Sequence, residues 1–559
     1  MAALPNDLSK VDPADAWKPW APAATDPWDR KRIAHLFRRA AFGATPTEID
    51  TALKDGFPKT LDRLLKGEPD AGDRLELLTE TGQFYTEPNN LRVWWLYAML
   101  EGGHPLREKL TLFWHNHFAT SYAKIRSTKL MYEQNALIRK HALGHFRPFL
   151  LDMSRDTAML VWLDSNRNIK GAPNENYARE VMELFSLGVG NYTEKDVQEA
   201  ARAFTGWHHD AEVSKFENNA VLHDDGEKTI FGKRGNWTGT DVVQLCCDHE
   251  ACARFLVGKL YSFLISETKP PAKLLEPLEA SFRKSDFDIA ALVSTMLSSK
   301  LFFSDHAFHK RVKWPVEYAV GAVRAVVPGR VPLADLTDPL AKMGQVLFAP
   351  PNVKGWRTGT DWLNSATLLA RNNFAEKVAI GQWSAVSNRP RGSLFGQPAF
   401  RTFSSVEGQP AKPAGPPPAP PADQDVAAAV FAGNPKDIPA VVKRMGELLH
   451  GEPLSPKVAA KLEQFLRERG PAAGPATPPA PGGAAPPGFS PPVETATKTE
   501  FVPPQPDSTP KPVQSKPLPP APMPHAAKPF KPDIASDDFK ARVREALHAM
   551  MCLPEYQLN

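Results

Sequence analysis

The stretch PNENYAREVMELFSLGVGNYTEKDVQEAARAFTGW, residues 173–207, decides the fold class. Asn174 supplies an N-cap for a helix that Gly188 stops, and Thr193 caps a second helix that ends near Gly206. The first helix has an apolar face that consists of Tyr177, Val181, Leu184 and Phe185. The stretch therefore predicts two helices joined by a short turn.

Similar helical units surround this stretch. Thr45, Pro46 and Glu48 supply an N-cap, a first-turn proline and a capping-box carboxylate, and residues 90–100 are apolar on most sides, as in a buried helix. Strand signals are scarce. The best one is a hairpin in HDDGEKTIFGKRGNW, residues 223–237, with Asp225-Gly226 as its tight turn. We predict a mostly α-helical, multi-helical single globular domain with at most a small β-hairpin.

Proline divides the chain into segments. Of the 56 prolines, 7 lie in residues 410–421 and 21 in residues 471–532, whereas all 13 tryptophans lie between Trp17 and Trp383. We predict an extended arm at 1–24, a helical domain at 25–400, a Pro-rich linker at 401–437, a helical island at 438–469, a disordered Pro-rich linker at 470–532 and a final helix at 533–559.

The final helix carries an apolar stripe that needs a partner surface. The stripe consists of Phe539, Val543, Ala546, Leu547 and Met550. We expect this helix to pack back on the main domain, which makes the Pro-rich region an insertion.

Charge and cysteine content narrow the function classes. The 67 basic side chains exceed the 63 acidic ones by four, with both signs interspersed, so we expect no nucleic-acid surface. No run of 18 apolar residues occurs, so no membrane span is expected. Four cysteines fit a reducing compartment, and the first 20 residues lack the basic and apolar regions of a secretion signal. We therefore expect a cytoplasmic protein.

Five strings in order resemble a known family of bacterial proteins, the domain of unknown function 1800. They are HLFRRAAFGATPTEID, LREKLTLFWHNHFATS, the stretch 173–207, HDDGEKTIFG and PPNVKGW. The resemblance covers about residues 30–380, and the closing PEYQL is similar to the usual end of that family. It implies a large, mostly helical bacterial domain with no established activity. Members often carry export signals, from which this sequence departs.

The first candidate site residues are His115 and His117 in FWHNHF. Residues two apart on a helix point about 200° from each other, so the pair cannot share one metal while the helix continues. His117 falls on an apolar stripe. It is either a core histidine bonded to a carbonyl or carboxylate, or a pocket histidine with a catalytic role.

The second candidates lie on the helix within residues 174–188. Glu175, Arg179 and Glu183 follow one another at i+4, as in a ladder of surface ion pairs. Alternatively, Glu180 and Glu183 converge on one ligand as catalytic carboxylates, with Asn176 and Arg179 binding substrate. His117 could then complete a bundle-core site in which a divalent metal is one candidate cofactor.

The third candidates lie in loop-like sequence. Asp225 is a candidate catalytic residue, and His208 and Lys228 are candidate substrate-binding residues, among the neighbouring His209, Asp210, His223 and Asp224. The alternative is turn chemistry, with Asp225-Gly226 closing a hairpin and Lys228 solvated.

A cysteine cluster is the fourth candidate. Cys246, Cys247, His249 and Cys252 match no standard zinc spacing, so packing cysteines are favoured over a zinc site.

Two functions stay open from sequence. One is an enzyme, with a hydrolase as the leading class, in which a His/Glu/Asp pocket uses carboxylate acid/base chemistry or metal-activated water. The other is a non-catalytic scaffold or assembly protein whose Pro-rich segments bind a protein partner.

Overall fold

The computed structural model describes residues 4–80, 84, 86–210, 215–384, 424–468 and 533–559. Within them it contains 23 α-helices and two small antiparallel strand pairs, so the predicted mostly α-helical fold is confirmed. None of the described helices is both long and apolar enough to cross a bilayer.

The first twelve helices are α1 Pro13–Ala16, α2 Arg30–Ala40, α3 Pro46–Lys66, α4 Ala71–Glu80, α5 Pro88–Glu101, α6 Pro105–His117, α7 Tyr122–Ile125, α8 Thr128–His141, α9 Phe146–Ser154, α10 Thr157–Trp162, α11 Asn176–Glu180 and α12 Glu194–Ala203. The next eleven are α13 Gly239–Asp248, α14 Glu250–Leu264, α15 Ala272–Lys284, α16 Ile289–Ser298, α17 Pro315–Val326, α18 Ala334–Lys342, α19 Ser365–Ile380, α20 Val426–Phe431, α21 Ile438–Leu449, α22 Pro456–Arg467 and α23 Asp537–Cys552.

Local capping explains why several of these helices start where they do. Thr45 and Glu48 form the predicted capping box at α3, and Thr193 is the predicted N-cap of α12, where Asp196 completes a second capping box. Asn174 lies two residues before the start of α11, and its side-chain oxygen accepts from the N–H of Asn176, the first residue of the helix, at 3.0 Å. These side chains satisfy amide groups that the first turn leaves without partners.

The helix that starts at Asn176 changes pitch after Glu180. Val181–Ser186 forms a π-helical turn, in which each N–H reaches a carbonyl five residues back. Leu187 and Gly188 both donate to the Met182 carbonyl, at 2.9 and 3.1 Å, and Gly188 ends the segment with φ +82°. The sequence does not predict the π-helical turn.

The N-terminal arm is not extended, contrary to expectation. It contains the 3₁₀ turn Leu8–Lys10 and helix α1, and Trp17 and Trp20 are buried. The Trp17 indole donates to the Leu274 carbonyl at 2.6 Å, so two tryptophans anchor the arm on α15 and α16. Burial of two such large rings stabilises the packed arm against an extended one.

The strands form two hairpins instead of at most one. β1 Trp207–Asp210 pairs with β2 Lys215–Asn218, and β3 Lys228–Ile230 pairs with β4 Lys233–Gly235. The turn of the second hairpin is Phe231-Gly232, with φ +51° and +73°, not Asp225-Gly226. Two central residues with positive φ match the type I′ turns that suit the twist of a hairpin.

The C-terminal helix packs back on the main domain, as predicted. All five stripe residues of α23 are buried, and its main contact is with α19. The predicted island contains α21 and α22, and α20 lies within the range predicted as the first linker. The rest of the two predicted linkers lies outside the described residues, apart from short ends.

Candidate functional site

His117 lies at the end of α6 and is buried against the π-helical turn. Its Nε2 is 3.0 Å from the Phe185 carbonyl oxygen, and its Nδ1 is 2.9 Å from Nζ of Lys259 on α14. Because a carbonyl only accepts, Nε2–H donates to Phe185, and Nδ1 accepts from the lysine. His117 is thus bonded to a carbonyl, as the core interpretation expects, and not to the glutamates.

Burial controls the ionisation of this pair. Desolvation lowers the pKa of His117 well below its usual range, and the nearby Lys259 lowers it further. Desolvation also lowers the pKa of Lys259 to about 8. The Leu184 carbonyl oxygen lies 3.5 Å from the ammonium, so the carbonyl end of the π-helical turn faces both groups.

His115 points to another side of α6, as the helical spacing predicts. It is fully buried between the rings of Trp95, Phe348 and Trp356, with centroid distances of 5.3 to 5.6 Å. Neither ring nitrogen has a hydrogen-bond partner among the described residues, and burial lowers the pKa of His115 to about 3. This packing favours a structural role over a catalytic one.

Glu180 and Glu183 lie next to each other and are half-buried. Burial raises the pKa of Glu180, and the charge of Glu183 raises it further against the effect of Arg179 and Lys354. The Tyr192 hydroxyl donates to Glu183 Oε2 at 2.7 Å. Burial and this hydrogen bond raise the pKa of Tyr192 to about 12, so the phenol keeps its proton and orients the carboxylate.

Lys354, on the loop PPNVKGW, residues 350–356, lies close enough to Glu180 for its charge to lower the pKa of that carboxyl. The loop is fixed to the end of α6, where Asn116 Oδ1 accepts from the Trp356 N–H at 2.6 Å. Gly355 has φ +88°, and a Cβ there would collide with Asn116. Glycine is therefore required for the close approach that places Lys354 beside Glu180.

The predicted ion-pair ladder is present in part. Arg179 binds Glu175 at 2.9 Å and Glu194 of α12 at 2.7 Å, while Glu183 bonds to Tyr192. The second ion pair of Arg179 is therefore with Glu194, and not with Glu183 as the i+4 spacing predicts. Asn176 is exposed at the start of α11.

The predicted loop residues bond to partners near the two hairpins. His208 Nε2 lies 3.2 Å from Glu217 across β1 and β2, and Asp225 pairs with Lys170 at 2.7 Å on the surface. Lys228 is 1% exposed, not solvated, and donates to the carbonyls of Asp224 and Gly226 at 2.6 and 2.9 Å. None of these contacts joins the loop residues to the carboxylate pair.

A metal site receives no support from the described residues. Among them, no group of three or more His, Cys, Asp or Glu side chains is placed to hold an ion. Cys246, Cys247 and Cys252 are free and buried between α13 and α14, and burial raises the pKa of the Cys246 thiol. Protonated buried thiols are typical of packing cysteines.

Sequence reasoning missed Tyr192 and Lys259 as site candidates, and it considered Lys354 only as a residue that could line a cleft. Lys259 had a visible signal, because it is the one lysine in the apolar helix segment FLVGKLYSFL. A charged side chain in an apolar helix is rarely buried without a partner or a function. Tyr192 and Lys354 join the glutamates only through tertiary packing.

The fold and this site define a large helical protein in which two neighbouring glutamates, one at the end of α11 and one on the π-helical turn that follows, lie near a loop lysine. The profile of the family described as "Protein of unknown function (DUF1800)" matches residues 35–558. Because the match spans nearly the whole chain, the protein belongs to this family. No curated protein and no solved structure matches it.

Proposed function

We propose that this protein is an enzyme of the hydrolase class in which Glu180 and Glu183 act as general acid and general base. The observation that carries the proposal is the unequal environment of the two neighbouring carboxyl groups. Pairs of carboxyl groups whose surroundings separate their proton affinities commonly divide acid and base roles between them.

Glu180 suits the acid role. Its raised pKa keeps a larger share of the side chain protonated near neutral pH than an exposed glutamate has, so it can give a proton to a leaving group. Glu183, oriented by Tyr192, would take a proton from the attacking water. Lys354 would stabilise negative charge that develops in the transition state.

Substitution of each glutamate tests the proposal. The full chain would be assayed on p-nitrophenyl esters, p-nitrophenyl phosphate and p-nitrophenyl glycosides, and Glu180→Gln and Glu183→Gln should each lower kcat about 10²- to 10⁴-fold. Glu194→Gln, which changes an exposed carboxylate on the same arginine, is the matched control. Equal activity of all three variants would contradict the proposal.

The pH profile gives an independent readout. If Glu180 is the acid, kcat falls as the pH rises through its raised pKa, because the proton it must donate is lost. The Glu180→Gln variant should lack this alkaline limb. A limb that survives the substitution would assign the proton transfer to another group.

A further inference from the structure

A pocket with charged walls lies where α21 and the C-terminal segment meet α2 and α17. It is small and partly open to solvent. Its walls include Arg38, Lys313, Glu317, Glu447 and Tyr556. The first three of these are at least nine-tenths buried. Charged groups converging on a partly enclosed space are typical of ligand sites.

Two cations, Arg38 and Lys313, and two carboxylates, Glu317 and Glu447, line this pocket. Glu317 is neutralised by Lys109 and Arg311, which both contact its Oε1. Four other cations are buried nearby, namely Arg38, Arg39, Lys313 and Arg371. In the described part of the chain, they donate hydrogen bonds to main-chain oxygens and to one side-chain amide. Guanidinium groups do not lose their protons in proteins, so the buried charge of Arg38 favours an anion in this pocket.

Arg38 has donors ready for that anion. Its Nη1 donates to the His450 carbonyl at 2.9 Å, whereas Nε and Nη2 have no partner among the described residues. Nε–H and Nη2–H point in the same direction and form a fork that binds two oxygens of one carboxylate or phosphate. Glu452 is not available to this fork, because it pairs with Lys31 at 2.9 Å and with His309.

The same fork is filled by carboxylates elsewhere in the protein. Nε and the Nη2 of Arg139 bind Glu108 at 2.7 and 2.8 Å, and those of Arg544 bind Asp425 at 2.9 and 2.8 Å. The buried Arg38 fork therefore has the geometry of a carboxylate site from which only the acceptor is missing.

We propose that this pocket binds a small oxyanion, the carboxylate or phosphate group of a small molecule, between the Arg38 fork and the Lys313 ammonium. Lys313 Nζ donates to the Tyr556 carbonyl at 2.7 Å and lies 3.7 Å from the centre of the Tyr556 ring, and an ammonium has three N–H donors in all. The oxyanion stabilises the cations that the fold buries. The site shares no residue with the proposed acid–base pair, so each proposal can be tested independently of the other.

The pocket also links separate parts of the chain. Gly451, with φ +74°, packs so closely on Ala34 that a Cβ would collide, and this approach brings the His450 carbonyl to Arg38. α21 and the C-terminal segment therefore form one wall, and α2 and α17 the other. An oxyanion bound between them holds the two walls together.

Titration of the full chain with inorganic phosphate and with acetate tests the proposal. After dialysis into chloride buffer of constant ionic strength, calorimetry should show saturable one-site binding of at least one probe, with a Kd at or below about 1 mM. Arg38→Met keeps an apolar stem and should weaken this binding about 10- to 100-fold. Arg147→Met, which removes a surface guanidinium paired with Asp248 and Asp286, should bind as the wild type does.

A second variant keeps the test decisive if Arg38→Met does not fold. Glu447 is a negative charge in the pocket wall, where it pairs with Arg444 of its own helix. Glu447→Gln should tighten binding by about threefold, because it removes a charge of the same sign as the probe and leaves Arg38 and Lys313 unchanged. The proposal is overturned if neither probe saturates below about 10 mM, if folded Arg38→Met binds as tightly as the wild type, or if Glu447→Gln leaves the affinity unchanged.

Discussion

Glu317→Gln removes the negative charge around which the buried cations gather. The Glu317 carboxylate contacts Lys109 and Arg311, and accepts from the Trp314 N–H at 2.7 Å and from Asn559 Nδ2 at 3.1 Å. Glutamine has nearly the same volume and can keep some of these hydrogen bonds. The substitution therefore isolates the contribution of the charge.

The expected loss of stability follows from the pKa of Glu317. Burial raises this pKa, but Arg311 and Lys109 outweigh burial and hold it at about 2, below the ordinary 4.5. At about 1.4 kcal/mol per pKa unit, the difference corresponds to about 3 kcal/mol. Removing one partner of a buried ion pair costs about 3 to 5 kcal/mol, which agrees with this value. We expect the free energy of unfolding to fall by about 3 kcal/mol.

Urea unfolding followed by tryptophan fluorescence measures this loss. Because the folded pKa lies below the unfolded one, the charge stabilises the protein fully above about pH 4.5, and this contribution is lost as the pH falls toward about 2. The difference in the free energy of unfolding between wild type and variant should have its full value at pH 7 and become smaller below pH 4.5. Glu194→Gln, at an exposed ion pair, should change stability little.

Two results would refute this reasoning. One is a difference in the free energy of unfolding of less than about 1 kcal/mol at pH 7, which would mean that the Glu317 charge does not stabilise the buried Lys109 and Arg311. The other is a difference that stays constant on acidification, which would assign the loss to packing instead of charge.

Three further predictions concern packing. Gly355→Ala should displace Lys354 and lower kcat, checked by kinetics beside a thermal melt, because a Cβ collides with Asn116. Lys228→Met should lower the free energy of unfolding by about 1 to 3 kcal/mol in urea, because it leaves two carbonyls without their donor. Met550→Ala should cost about 2 to 5 kcal/mol and speed proteolysis near α23, because Met550 is 1% exposed in the contact with the main domain.

The sequence predicts those features that depend on neighbouring residues. The capping box at Thr45 and the N-cap at Thr193 are confirmed, because each depends only on residues within the first turn of its helix. The stripe on the last helix correctly predicts a buried face. Its partner, α19, could not be read from the sequence, since an apolar face shows that a surface is needed and not which one.

The features that the sequence did not predict depend on contacts between residues that are far apart in the chain. His117 and Lys259 are 142 positions apart, so the pair appears only when α6 and α14 pack together. The sequence places the tight turn at Asp225-Gly226, because that dipeptide is common in hairpins. Asp224 and Gly226 instead supply the carbonyls that Lys228 binds, and the turn forms at Phe231-Gly232.

The contacts of the buried arginines also set an order for folding. Arg38 reaches a carbonyl 412 positions later, and Arg39 reaches one 520 positions later. At a synthesis rate of about 5 to 20 residues per second, this second acceptor is made roughly half a minute to two minutes after Arg39. During that time α2 holds charged groups that the finished core encloses, so the amino-terminal helices cannot complete their native packing as they are made. The core therefore closes only after the segment that contains Asn559 has been made, and the growing chain is exposed to aggregation until then.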